Sequence, residues 1–536
     1  MSRDKSYLKK YQNVLKLNCV NPFRTDKPSD ENVKSIQKSC QELLLKNYDN
    51  PNIMEKISCI IQWIIFLSKK ENNAFPELGS IFDLQKDSRL LTEEGVSSKV
   101  YTSLLLKRFE VIVKKSRDRD YMEQNLHEGI MGKIFINQLR YFTDGFCYNY
   151  AIYKKKASLC LVQEQLSMDL SRYISSIEKK SYSADYGVMI YSWLVQVMIN
   201  LELAQTYGFF THYDMHGGNI LLRKNINHSP KHLLVHDLHF TFERFEHEPV
   251  IIDFGHSVCW NQTSFIGLGE FPEYGFLDFF IPGCDQFKFL AYHYLSYYKK
   301  RDKSENLGVI VNLFEFIIYH FYPTAFLKKT PLWNKEDEKW KENWFYNINY
   351  TELAVYTPYD LIKFLLKNND AICNILKTKN LKFACKNREI LNIDYSIDMD
   401  LINACIKNGL CSSFSRWGPS NRLEPCMFPM KMNAKNVITT SKMKFNEKFL
   451  YDFYEKYKTR PLLQEKPNNA LISDMKNFVA DPYWVVFLNQ LYRGMIMIRT
   501  ESQNPEIANF VLNFHQYLGL GRWFVAVIGY LYHHRK

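Results

Sequence analysis

No two of the twelve cysteines in this 536-residue chain stand at Cys-x-x-Cys spacing, and all are scattered singly. That scatter argues against a disulfide framework and reads as reduced thiols and buried apolar filler. The opening residues, Met1-Ser2-Arg3-Asp4-Lys5, are charged and have no apolar run behind them, so no secretory leader is expected. Apolar stretches such as Ile57 to Ser68 and Trp523 to Tyr532 fall short of the ~18 apolar residues a membrane span needs. The longer stretch Asn306 to Leu327 carries Asn312, Glu315 and His320, which suits a core helix better. There is no long basic tail. The net charge of +12 is spread over small clusters such as Lys154-Lys155-Lys156 and Lys299-Lys300-Arg301, which read as solvated turns. Specific nucleic-acid binding is therefore not expected, although a basic surface favours acidic partners, nucleotide phosphates among them. Internal repeats and low-complexity tracts are also missing. A soluble, intracellular protein is expected.

What the chain does have is aromatic bulk: 38 Phe, 35 Tyr and 9 Trp, within 46% hydrophobic residues, enough for large cores. The length predicts two or three domains. Up to about residue 78 the pattern is helical, with a start signal at Ser29-Asp30 and a second apolar helix over Ile53 to Leu67. From about 79 to 165 short β-rich runs appear at Val100 to Leu106, Val111 to Val113, Tyr148 to Tyr153 and Leu159 to Val162. A helix over about Tyr121 to Arg140 interrupts them. Helices dominate 166 to 375, led by the apolar stretch Asp185 to Tyr207. Residues 376–536 form an extension with apolar segments of its own and a Pro- and Met-rich connector, Pro419 to Met432, but no legible motif.

Two segments carry chemistry. The first, Thr211-His212-Tyr213-Asp214-Met215-His216-Gly217-Gly218-Asn219, follows the long helix and precedes a short apolar strand. The second, Val250-Ile251-Ile252-Asp253-Phe254-Gly255, is an apolar strand ending in Asp-Phe-Gly. Phosphoryl transfer from ATP asks little covalent chemistry of a protein; it needs divalent metal held against the phosphates and a carboxylate that orients the attacking hydroxyl. An Asp with an Asn five residues on, and a strand-borne Asp before Phe-Gly, supply those parts. Asp-Phe-Gly alone carries almost no information; the two motifs in this order are specific.

The segment from about 80 to 375 resembles the protein kinase superfamily, and within it the divergent serine/threonine kinases of large cytoplasmic DNA viruses, of iridovirus type. The Tyr-Asp-x-His-x-Gly-Asn loop and the Glu128-Gly129-x-x-Gly132 helix carry that likeness. The resemblance implies Asp214 as catalytic base, Asn219 as ligand of one metal ion and Asp253 as the residue bridging the metals. Val111-Ile112-Val113-Lys114 matches the strand whose lysine contacts the α- and β-phosphates, and Glu128, with Glu123 as rival, is the helix carboxylate expected to pair with it. Gly95, Val96 and Ser97 sit where a phosphate-covering glycine loop belongs, with one glycine where three are usual, so an ordinary β-turn fits as well. Gln163-Glu164-Gln165-Leu166 is the expected hinge, where backbone groups would meet adenine. Phe271-Pro272-Glu273 resembles the end of an activation segment, and Asp285, opening an apolar helix, is expected to anchor the catalytic loop, to cap that helix, or to do both.

Three departures stand out. Tyr213 replaces the arginine before the catalytic Asp, which implies that control by activation-loop phosphorylation is absent or different. His216 replaces the phosphate-contacting lysine; histidine here also occurs in aminoglycoside- and choline-kinase-like enzymes, and it reads equally as a phosphate contact or as a satisfied loop histidine. The stretch Lys224 to Pro249 lengthens the interval between the two motifs and reads as an inserted, solvated β-hairpin. Its five histidines, 228, 232, 236, 239 and 247, match no standard zinc spacing.

The expected fold is α+β: a two-lobed protein-kinase-like fold with an N-terminal lobe over 79–165, a C-terminal lobe over 166–375, a helical N-terminal extension over 1–78 and a mixed C-terminal one. ATP would bind in the cleft between the lobes with Mg2+, or Mn2+ in its place. The expected reaction is γ-phosphoryl transfer to a serine or threonine of a protein substrate, in the cytoplasm (of a host cell, or in the virus particle, as the resemblance implies). The alternatives are a small-molecule kinase of aminoglycoside/choline-kinase type and a pseudokinase scaffold.

Overall fold

The computed structural model describes residues 31, 35, 38, 51–70, 89–92, 98–105, 109–118, 121–155, 158–225, 229–236, 238–261, 264–267, 280–322 and 356–387. The chain divides into two compact units, Met1–Ser167 with Val250–His256, and Met168–Pro249 with Ser257–Lys536.

The first unit is built on a five-stranded antiparallel sheet of order β1-β2-β3-β5-β4. The strands are β1 (Arg89–Thr92), β2 (Ser98–Leu105), β3 (Phe109–Ser116), β4 (Asn149–Lys155) and β5 (Ser158–Glu164). Val111 and Val113 are buried with Ile112 between them half-buried, the period-two pattern that sets a strand's inner face. Every β5 residue after Ser158 is buried: the apolar run Leu159–Val162, and then Gln163 and Glu164, whose polar atoms find partners inside the protein.

Helix α1 (Pro51–Lys70) buries Met54, Ile57, Ile61 and Ile65, a stripe at helical spacing. It lies along β4, where the Ser58 hydroxyl donates to the Tyr150 carbonyl. Helix α2 (Met122–Met131) does not run uniformly to residue 140. It widens into a π turn over Gly132–Ile136 before a last short turn at Asn137–Leu139. Two glycines let α2 and the π turn after it close on the sheet: a Cβ at Gly129 would meet the Ile152 side chain, and one at Gly132 would run into the Asn149 side chain.

The second unit gathers around α4 (Ala184–Gly208), which follows α3 (Leu170–Ile177) and is capped by the Ser183 hydroxyl. By length and composition α4 passes for a membrane span, but nearly all of it is buried inside the protein. Against it pack α6 (Glu305–Phe321), which follows α5 (Cys284–Tyr298), and α7 (Pro358–Lys367), which precedes α8 (Asn369–Leu376). The start of α7 is fixed by a reciprocal capping box between Thr357 and Asp360. The short strand β6 (Ile220–Lys224) follows the 211–219 loop.

The inserted stretch does form a hairpin, β7 (Lys231–Val235) with β8 (Leu238–Phe242). It also recruits a third strand that the sequence did not announce. Strand β12 (Phe383–Asn387), inside the region assigned to the C-terminal extension, pairs antiparallel with β8. Phe383 packs on Phe240, Phe242 and Tyr191, so an aromatic cluster holds that pairing. Strand β9 (His247–Ile251) carries the chain back to the first unit, and β10 (Cys259–Asn261) with β11 (Ser264–Ile266) makes a small ribbon.

Two expectations need correction. His236 is not solvated: at the hairpin turn, with φ of 50°, it is buried against Glu202 of α4 and under the Tyr359 ring. Cys59 is disulfide-bonded rather than reduced, whereas Cys147, Cys160, Cys259, Cys284, Cys373 and Cys385 are free thiols. Among the described residues no three His, Cys, Asp or Glu side chains gather as metal ligands.

Candidate active site

In the first unit, Lys114 of β3 is held between two carboxylates. Its Nζ lies 2.7 Å from Glu128 Oε2 and 3.0 Å from Asp253 Oδ1. The helix carboxylate that meets Lys114 is thus Glu128, not Glu123. Burial alone would lower the Lys114 ammonium; the charges of Asp253 and Glu128 outweigh it and hold it above the ordinary lysine value. Glu128 is pushed up by burial, with Lys114 pulling the other way. Its second oxygen, Oε1, accepts from Gln163 Nε2 at 2.9 Å.

Asp253 has φ of 62°, a left-handed conformation that costs a non-glycine residue about 1–3 kcal/mol unless its surroundings enforce it. The residues after it are tied down. The Phe254 ring packs against Phe146, and His256 Nε2 sits 2.9 Å from Gln124 Nε2 on α2. At the expected hinge the Glu164 N–H donates to the Tyr148 carbonyl, so that donor is spent inside the sheet. The Glu164 carboxylate is also internal, 3.2 Å from Arg140, with both side chains fully buried. Gly95, Val96 and Ser97 lie outside the described residues, as does Phe271-Pro272-Glu273.

In the second unit the 211–219 loop is built around Asp285. Its Oδ2 accepts from the His212 N–H at 2.7 Å and its Oδ1 from the Tyr213 N–H at 2.8 Å. Asp285 is therefore the anchor of this loop, and the N-cap of α5 is Gly283. Tyr213 is fully buried at φ of 66°, and its carbonyl accepts from Lys288, one turn beyond Asp285. These contacts enforce the left-handed turn that presents Asp214.

Asp214 is half-buried, with Asn219 Nδ2 at 2.9 Å from its carbonyl and 3.0 Å from its Oδ2. His216 Nδ1 accepts from the Gly218 N–H, which puts its proton on Nε2, 3.7 Å from Asp214 Oδ2. Burial alone would raise the Asp214 carboxyl; His216, then Lys288 and His212, hold it well below the usual carboxylate range. With Nδ2 committed to Asp214, Asn219 Oδ1 has no hydrogen-bond partner among the described residues. It and the part-exposed Asp253 carboxylate are hard oxygens of the kind magnesium prefers.

Asn149 and Lys288 were not singled out from sequence, and Gln163 was expected only as part of the hinge, through its backbone, not as a side-chain partner of Glu128. The signal for Gln163 was a lone amide ending an otherwise apolar strand; for Lys288, a cation one turn after an acid on an apolar helix.

A buried lysine–glutamate pair reaching a strand-end aspartate, with an anchored Asp-to-Asn loop elsewhere in the chain, defines a kinase-like protein. In sequence the chain is similar to the "Probable kinase 098L" of Invertebrate iridescent virus 3, with 24% identity over 205 residues, 38% of this chain. The match spans only 36% of that relative's length. No family model matches the chain. Among solved structures it aligns with the PF14_0431 kinase domain at a TM-score of 0.24 and 16% identity, covering 32% of this chain and 51% of the other.

Proposed function

We propose that this chain is an ATP- and Mg2+-dependent phosphotransferase, a serine/threonine protein kinase that transfers the γ-phosphoryl group to a protein hydroxyl. The observation that carries the reading is Lys114 held between Glu128 and Asp253. A lysine kept charged and fixed in this way is suited to the α- and β-phosphates of ATP. In this kinase the first unit would serve as the small lobe and the second as the large lobe. Asp253 in the first unit and, taken separately, Asn219 in the second carry oxygens that would suit magnesium, which when bound would offset phosphate charge.

In the transfer, the acceptor hydroxyl oxygen forms a bond to the γ-phosphorus as the bond from that phosphorus to the β,γ-bridging oxygen breaks. ADP leaves, and the hydroxyl proton passes to Asp214, which Asn219 keeps oriented. A cytoplasmic place of action, in an infected cell if the chain is viral like its relative, belongs to the same proposal.

A small-molecule acceptor is the second reading, favoured by the seating of His216 beside Asp214 in place of a lysine. Labelled ATP offered with casein, and separately with amino-sugar and alcohol panels, distinguishes the two. Wild type should label serine or threonine, and Asp214→Asn should lose transfer by about 100-fold or more while keeping nucleotide binding. Equal transfer by both proteins would defeat the assignment of Asp214, and label on the small molecules alone would select the second reading.

A further inference from the structure

Glu128 is a buried carboxylate, and the quality of the Lys114 pair depends on where its two oxygens point. Oε2 faces Lys114; Oε1 faces Gln163, at the end of β5. The same Gln163 Nε2 donates to Asn149 Oδ1 at 2.8 Å on the neighbouring strand β4. Asn149 is itself clamped by Asn137: its N–H donates to Asn137 Oδ1 at 2.9 Å, and Asn137 Nδ2 returns a bond to the Asn149 carbonyl at 2.8 Å. Asn137 belongs to the last turn of the helix that carries Glu128, just past the π turn. The chain of amides therefore leaves that helix, crosses two strands and comes back to the carboxylate. All its members are buried. Gly132 makes room for it, because the Asn149 side chain occupies the place a Cβ would take.

We propose that Gln163 and Asn149 are positioning residues for the phosphate-contacting lysine: an amide relay that fixes the Glu128 carboxylate and through it Lys114. This rests on the kinase reading above. The physical reason is that each oxygen of a desolvated carboxylate needs a donor. Without Gln163, Oε1 loses its donor, Glu128 changes rotamer, and Lys114 shifts toward its other partner, Asp253. Gln163 touches no reacting atom and acts only through Glu128.

The test uses the full chain as wild type, Gln163→Met, Glu128→Gln and the double variant, with labelled Mg-ATP and casein as the probe acceptor. Gln163→Met should lower kcat about tenfold, with KM for ATP changing less than about threefold. The double variant should lose no more than Glu128→Gln alone, since residues acting through one another do not add. Multiplying losses, or a Gln163→Met protein as active as wild type, would overturn the relay.

Should Gln163→Met fail to fold, Gln163→Glu keeps the shape and sets a second carboxyl against Glu128, with Lys114 and Asp253 the other charges facing the pair. Its activity should recover as pH falls and the two carboxyls share a proton; a profile parallel to wild type counts against the relay. Independently of catalysis, acetylation of Lys114 by an N-hydroxysuccinimide acetate, read by mass spectrometry, should be several-fold faster in Gln163→Met than in wild type. If wild type transfers no phosphate, the kinase reading fails while this labelling still judges the relay: faster labelling sustains it, equal labelling ends it.

Discussion

Asn219 holds Asp214 twice with one nitrogen: its Nδ2 donates to the aspartate's own carbonyl and to its carboxylate. Backbone and side chain of Asp214 are thus fixed by a single amide, so the carboxylate cannot rotate without losing a donor. Asn219→Ala removes both bonds. Phosphate transfer should fall about 100-fold or more, with a small change in melting temperature, because Asp285 and Lys288 still hold the rest of the loop. A steady-state assay beside a thermal melt checks both halves of the statement.

His293 gives the fold a pH dependence of known sign. Burial lowers its pKa from 6.5 to about 4, against the opposing bond from its ring to the Phe289 carbonyl, and His216 adds to the lowering. The folded state keeps this imidazole neutral where the unfolded chain takes up a proton. Its contribution is therefore fully present above pH 6.5 and is lost as pH falls toward 4, by on the order of 3 kcal/mol in all. His293→Gln should flatten that part of the stability profile, measured by denaturant melts across the window.

Arg140 and Glu164 form an ion pair with no exposed side-chain surface, and Arg140 also donates to the Phe146 carbonyl. Arg140→Leu strands a buried carboxylate and should cost about 3–5 kcal/mol. Replacing both residues with apolar ones should cost less than that single change, which a double-mutant cycle would reveal.

Gly132→Ala forces a methyl into the Asn149 side chain. A destabilisation of about 1–3 kcal/mol is expected, since the neighbour is clamped by Asn137 and yields poorly. Gly218→Ala meets only the His216 ring and should cost less. Paired melting curves decide.

Much of this was legible because local pattern and local structure coincide. Val111 to Lys114, Leu159 to Val162 and Asp185 to Tyr207 stand as strand, strand and helix, since their apolar periods match those elements. Glu128 and Glu123 were rivals in the sequence, and only the 2.7 Å approach of Lys114 to Glu128 decides between them. What sequence could not supply was long-range: β12 joining β8 depends on aromatic packing over more than a hundred residues. The inward turn of His236 depends on a glutamate in α4. Nothing near Gly132 in the sequence says why a glycine stands there; the Asn149 side chain, on another strand, fills the place its Cβ would take.

The strand at Phe383–Asn387 has a practical meaning for anyone dividing this polypeptide. A boundary drawn at residue 375, where the helical pattern ends, would strip β8 of its neighbour and bare a row of unsatisfied backbone groups beside Phe240 and Phe242. Such a fragment would invite sticking to other copies of itself. Shortened versions of the protein should therefore retain at least residue 387, and their solubility would report whether that edge is covered.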